Sequence, residues 1–103
     1  MEFIETPIFT RLVTGLLSDD EYRSLQDSLA EDPEIGSLIE KGGGIRKMRY
    51  GAQARGKSGG VRVIYYWLKE DHQIYFLLIY PKSKKDDLTA KETAILRELV
   101  KEL

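Results

Sequence analysis

Val61–Leu68, VRVIYYWL, and Ile74–Tyr80, IYFLLIY, are the stretches that decide the fold. β-Branched and aromatic residues dominate both, and such side chains suit a pleated, packed surface. Lys69–His72 between them is short enough to close a hairpin, so the spacing predicts two central antiparallel strands. Both faces of each strand are largely apolar. A sheet built from them needs cover on both sides, with helices over one face and something else, such as a partner, over part of the other. Pro81, which has no N–H for a ladder, ends the second strand.

Working outward, Ile45–Tyr50 alternates Ile45, Lys47 and Arg49 with Arg46, Met48 and Tyr50, the pattern of a strand at a polar surface. Gly42-Gly43-Gly44 breaks the chain before it, and Gly51–Gly60 after it reads as a basic, glycine-bearing loop. At the N-terminus Glu2–Thr6 predicts a short strand. Thr6 and Pro7 then suit the cap and first position of a helix carrying Ile8, Phe9, Leu12 and Val13, which Gly15 should end. Ser18 and Glu21 form a capping box for a second helix over Asp19–Glu31, stopped at Asp32-Pro33, with an acidic outer face. Thr89 and Glu92 form another, ahead of Ile95, Leu96, Leu99, Val100 and Leu103 at helical spacing. The expected architecture is α+β: an antiparallel sheet backed by two N-terminal helices, with a C-terminal helix.

A chain of 103 residues accommodates about one domain, so residues 1–103 are read as one. With 42% hydrophobic and 32% charged residues it has the balance of a folded globular protein. No apolar run approaches the roughly 20 residues of a membrane helix, and no basic stretch with an apolar segment opens the chain, so the expected location is the cytoplasm. The absence of cysteine excludes disulfides, thiolate nucleophiles and thiolate metal sites. One histidine, His72, makes a zinc centre or a Ser-His-Asp triad improbable, and no metal or cofactor is expected. Any chemistry must run on Lys, Arg, Tyr, Glu or Asp.

The net charge of −1 conceals strong segregation. Residues 1–40 carry 2 basic and 10 acidic side chains, residues 41–85 carry 11 and 2, and residues 86–103 carry 3 and 5. No acid interrupts Lys41–Leu68, which holds Lys41, Arg46, Lys47, Arg49, Arg55, Lys57 and Arg62. A local field of this kind attracts a polyanion through counterion release whatever the net charge. The competing explanation is a solvated basic face paired with the acidic second helix.

Between Asp32 and Glu92 the chain carries DP-x-x-G at Asp32, Pro33 and Gly36, then G-G-x-R-K-x-R from Gly43 to Arg49 and G-K-x-G-G-x-R-x-I-Y-Y from Gly56 to Tyr66. I-Y-x-K from Ile79 to Lys82 and D-L-T from Asp87 to Thr89 follow. In this order and spacing the set resembles the HigB branch of the RelE-like toxins of bacterial toxin–antitoxin pairs. The resemblance implies a RelE/ParE-type fold and a metal-independent endoribonuclease that enters the ribosomal A site, cuts the messenger and stops translation. It also implies a cognate antitoxin, commonly with a helix-turn-helix DNA-binding domain, through which alone the toxin would reach operator DNA.

On that resemblance Arg62, on the first central strand, is assigned to the phosphate, a role that suits a permanently charged, two-pronged side chain. Arg55 and Lys57 fall in the loop that the resemblance places near the scissile phosphate, with Lys57 the preferred proton-exchanging residue. Tyr80 lies where related toxins carry residues of the active face, and is open to base stacking or acid–base work. Simple alternation puts it in the row of Ile74, Phe76 and Leu78. Arg46, Lys47, Arg49, Lys82, Lys84 and Lys85 are assigned to the RNA backbone, the first three away from the reaction. His72, beside Asp71 in a turn, is left out, and no histidine stands in the loop or after the last strand, a departure from those HigB-like relatives that use histidine-based proton transfer. Two alternatives stand beside the nuclease: a gyrase-inhibiting toxin of the ParE type, and a non-catalytic module that binds RNA or a partner.

Overall fold

The structure, a computed structural model, describes residues 1–51, 60–85 and 87–103. Along the chain run β1 (Glu2–Glu5), α1 (Pro7–Leu16), α2 (Asp19–Glu31), β2 (Ser37–Leu38), β3 (Ile45–Tyr50), β4 (Val61–Leu68), β5 (Gln73–Pro81) and α3 (Ala90–Val100). The α+β architecture expected from the sequence is present, and its five strands lie in the order β1-β5-β4-β3-β2. β2 to β5 pair antiparallel, whereas β1 runs parallel to β5 with Phe3 opposite Ile74. The sheet is therefore mixed. Parallel pairing needs a long connection, which the rest of the chain supplies, and four residues of weak alternation carry no information about their partner.

The helix starts follow their caps. The Thr6 hydroxyl accepts from the N–H of Phe9, with Pro7 in the first turn. Both capping boxes form: Ser18 with Glu21 opens α2, and Thr89 with Glu92 opens α3. Gly15 does not end α1, which continues to Leu16. The stop comes instead from the extended backbone of Leu17 and Ser18, which lets Ser18 cap α2 directly. The DP-x-x-G stretch also has a physical cause. Gly36 donates its N–H to the Tyr65 hydroxyl (2.9 Å), which in turn donates to the Pro33 carbonyl (2.8 Å). A Cβ at Gly36 would lie 2.9 Å from the Lys47 carbonyl oxygen and from Tyr65, so only glycine fits without displacement.

The two faces of the sheet are covered differently. Phe9, Val13 and Leu16 of α1 and Leu25 and Leu29 of α2 pack on Met48, Val61, Val63, Tyr65, Ile74, Phe76 and Ile79. Phe76 stacks between Phe9 and Phe3, with ring centroids 4.8 and 5.6 Å away. On the opposite face a smaller cluster joins Ile45, Ile64, Leu77, Tyr80 and Val100, flanked by Leu88 and Leu96, so α3 supplies the second cover.

A bulge divides these faces along β5. Tyr65 pairs with Phe76 and Ile64 with Leu78, leaving Leu77 as the extra residue. Ile74 and Phe76 point toward α1 and α2, and beyond the bulge Ile79 does so, while Leu77 and Tyr80 join the α3 side. The Thr6 hydroxyl donates to the Leu77 carbonyl (2.8 Å), tying the start of α1 to the bulge. Simple alternation thus misplaces Tyr80: it does not share a face with Ile74 and Phe76.

Candidate functional site

Ile45 faces α3, and the period-2 alternation of β3 carries Lys47 and Arg49 to the same side. In the ladder Lys47 is opposite Ile64, Arg49 is opposite Arg62, and Arg62 is opposite Tyr80. Three strands therefore align Arg49, Arg62 and Tyr80 in one row. Arg62 is 1% exposed and Tyr80 6%. Like charges directly opposed across strands are destabilising, and burying a cation adds to that cost. The chain nevertheless keeps the two arginines face to face, with the Asp87 carboxylate within the field of Arg62.

Acids from the stretch before α3 and from its first turn meet these cations. Asp87 pairs with Lys47, and Glu92 pairs with Lys85. Lys47 beside Asp87 holds its carboxyl below the usual carboxylate range, first by hydrogen bonding and then by charge, with a smaller contribution from Arg62. The Glu92 carboxyl is lowered first by its hydrogen bond from Lys85 and then by the N–H of Thr89, which it caps. Lys85 Nζ stands 5.0 Å from the centroid of the Tyr80 ring, in cation–π range. Among the described residues no ion pair joins the basic set to α2, which packs on the face of the sheet opposite Lys47, Arg49 and Arg62.

The remaining residues picked out in the sequence divide into three groups. Arg46 points to the other face, where its guanidinium donates to the carbonyls of Gly36 (2.7 Å) and Glu34 (3.2 Å) and pairs with the Glu34 carboxylate (3.5 Å). Lys82 and Lys84 are exposed in the turn that follows β5, close in sequence to Tyr80. Arg55 and Lys57 lie outside the described residues. The chain leaves the sheet at Gly51 and returns at Gly60, beside the Arg49–Arg62 row. Gly60 has φ +70°, and a Cβ there would lie 2.4 Å from the Tyr50 carbonyl oxygen and 3.0 Å from the Gly51 Cα, so Gly51 and Gly60 stand side by side. His72 sits at the opposite end of the β4–β5 hairpin, edge-on to Trp67.

An open groove of about 1210 Å³ runs between β2–β3 and α3, with Leu38, Lys47, Arg49, Arg62, Asp87 and Arg97 among its walls. Asp87 is the functional candidate that sequence reasoning missed. Its signal was the pair Asp86-Asp87 closing a run of lysines. Among the described residues no three His, Cys, Asp or Glu side chains cluster closely enough to hold a metal ion. What the row offers is fixed positive charge for an anion, a two-pronged guanidinium and a phenol able to donate or accept a proton.

A family model for the RelE toxin of the RelE / RelB toxin-antitoxin system matches residues 20–103. The matched stretch takes in α2, β2 to β5, the whole cationic row and α3, leaving β1 and α1 outside it. With the row, the groove and the matched stretch coinciding, the chain belongs to the RelE toxin family.

Proposed function

We propose that this toxin is a metal-independent endoribonuclease of the HigB-like branch, which cleaves messenger RNA in the ribosomal A site and so inhibits translation. The observation that carries this reading is the opposition of Arg49 and Arg62 in one row with Tyr80, two guanidinium groups arranged for an anion that both can hold. A phosphodiester is such an anion, and its transition state carries more negative charge still. Arg62 grips the non-bridging oxygens. Arg49, which sequence reasoning set apart from the reaction, joins it from the neighbouring strand.

In the reaction the 2′-hydroxyl loses a proton and attacks phosphorus, the bond to the 5′-oxygen breaks, and that oxygen takes up a proton. Tyr80, beside Arg62 and under the Lys85 cation, exchanges one of these protons, and Lys57 exchanges the other. Arg55 adds positive charge from the same loop, and Lys47, Lys82, Lys84 and Lys85 hold the RNA backbone. The toxin works in the cytoplasm, and no helix among the described residues is long and apolar enough to cross a membrane. An acidic segment of a cognate antitoxin, itself carrying a helix-turn-helix domain, neutralises the basic face and links the toxin to operator DNA.

The test is to add the protein to a translating extract and to the same transcript as naked RNA, and to map new 5′ ends by primer extension. Cleavage within codons only during translation is expected. Equal cutting of naked RNA would contradict ribosome dependence, and no new ends together with blocked gyrase supercoiling would favour the ParE-type alternative.

A further inference from the structure

Lys47 stands two residues from Arg49 on β3, and the rise of a strand separates them by about 6.6 Å. That is close to the separation of successive phosphates along a ribonucleotide strand. Both side chains line the same groove as Arg62. The Lys47 ammonium is already paired, with the carboxylate of Asp87, which projects from the stretch linking β5 to α3. Asp87 stands where an incoming phosphate would have to approach Lys47, and it lies within the field of Arg62 as well. Its side chain is 71% exposed, so solvent can take it over when the pair opens.

From this geometry we infer that Lys47 forms a second phosphate subsite, one nucleotide from the phosphate gripped by Arg49 and Arg62, and that Asp87 fills it until RNA displaces the carboxylate. Asp87 is thus a positioning residue. It keeps the Lys47 ammonium aimed into the groove and sets a threshold that a lone phosphate does not pay back and a polynucleotide does. The inference rests on the nuclease reading for its ligand, and concerns only how the strand is seated.

The test is the binding of a fluorescent oligonucleotide made uncleavable by 2′-deoxy substitution, followed by anisotropy from low to moderate salt. An exposed ion pair is weak, so Asp87→Asn is expected to tighten binding about two- to fivefold. It should also steepen the salt dependence by about 0.7 in log–log slope, one cation's worth on a single strand. Lys47→Gln should weaken binding and flatten the slope by a similar amount. In the double variant, Asp87→Asn should have no further effect. A residue with a purely structural role would not move the salt slope in opposite directions in the two variants.

Unchanged or weaker binding by Asp87→Asn overturns the subsite. If Arg62→Ala still abolishes cleavage on the ribosome in that case, the nuclease reading stands without it. Absence of binding by every variant at the lowest salt overturns the subsite and removes the polyanion reading of the groove with it.

Discussion

The two faces of the sheet obey different rules. Toward α1 and α2 the centre of the face is apolar and aromatic, stacked ring on ring around Phe76, and Arg46 at its edge is held by the Gly36 carbonyl and the Glu34 carboxylate. Toward α3 a smaller cluster reaches as far as Tyr80, and the strand ends beyond it hold Arg49 and Arg62 beside Lys47, with Lys85 over the Tyr80 ring. One face secures the fold. The other gathers charge, and the comparison teaches that apolar packing and a cationic row occupy opposite sides of one sheet.

Substitutions on each face should break this contrast if it is wrong. The largest effect on stability is expected from Phe76→Ala, which empties the centre of the aromatic stack. Urea denaturation should show a loss of about 3–5 kcal/mol. Arg62→Met should cost less, since a side chain of similar length keeps much of the packing while the guanidinium is removed. Its urea midpoint should fall less than that of Phe76→Ala while cleavage on the ribosome falls about 10²–10³-fold. A variant both unfolded and inactive would make Arg62 a part of the scaffold.

A smaller effect sits at the edge of the apolar face. The Tyr22 hydroxyl donates to the Glu5 carboxylate at 2.5 Å, tying α2 to β1, and burial first, then Glu5, raises the phenol above its usual range. Tyr22→Phe should lose about 1–2 kcal/mol near neutral pH. Because the native value is the higher one, this contribution is present below the ordinary phenol value of about 10 and is lost as pH rises above it. The wild type and the variant should therefore converge in alkali. The carboxyls of Asp87 and Glu92 run the other way. Their lowered values contribute stability above about pH 4, lost as pH falls through them, and because both pairs are exposed the effect should be the smallest of the set.

Much of the scaffold was legible because its signals are local. Ser18 with Glu21 and Thr89 with Glu92 each announce a helix start within four residues, and the run from Val61 to Tyr80 announces a hairpin. The site was harder to read, because it depends on register. An extra residue at Leu77 reverses the facing of Tyr80, and a period-2 reading has no means of detecting an insertion whose evidence lies in the partner strand. Arg46, Lys47 and Arg49 form one basic group in the sequence, yet alternation sends Arg46 to the opposite face and Arg49 to Arg62. β2, two residues long, is set by its pairing with Arg46 and Lys47 rather than by any pattern of its own. The loop residues Arg55 and Lys57 lie outside the described residues, so their placement adds nothing to this comparison.

The central claim is that Arg49 and Arg62 serve one phosphate. A double-mutant cycle with Arg49→Ala and Arg62→Ala, read as the single-turnover rate of cleavage on programmed ribosomes, tests it directly. Two side chains on one anion should be coupled by about 1 kcal/mol or more, so the double variant should be at least about fivefold faster than the product of the two single losses implies. Losses that simply multiply would mean that the two arginines act at separate places, and would contradict the account.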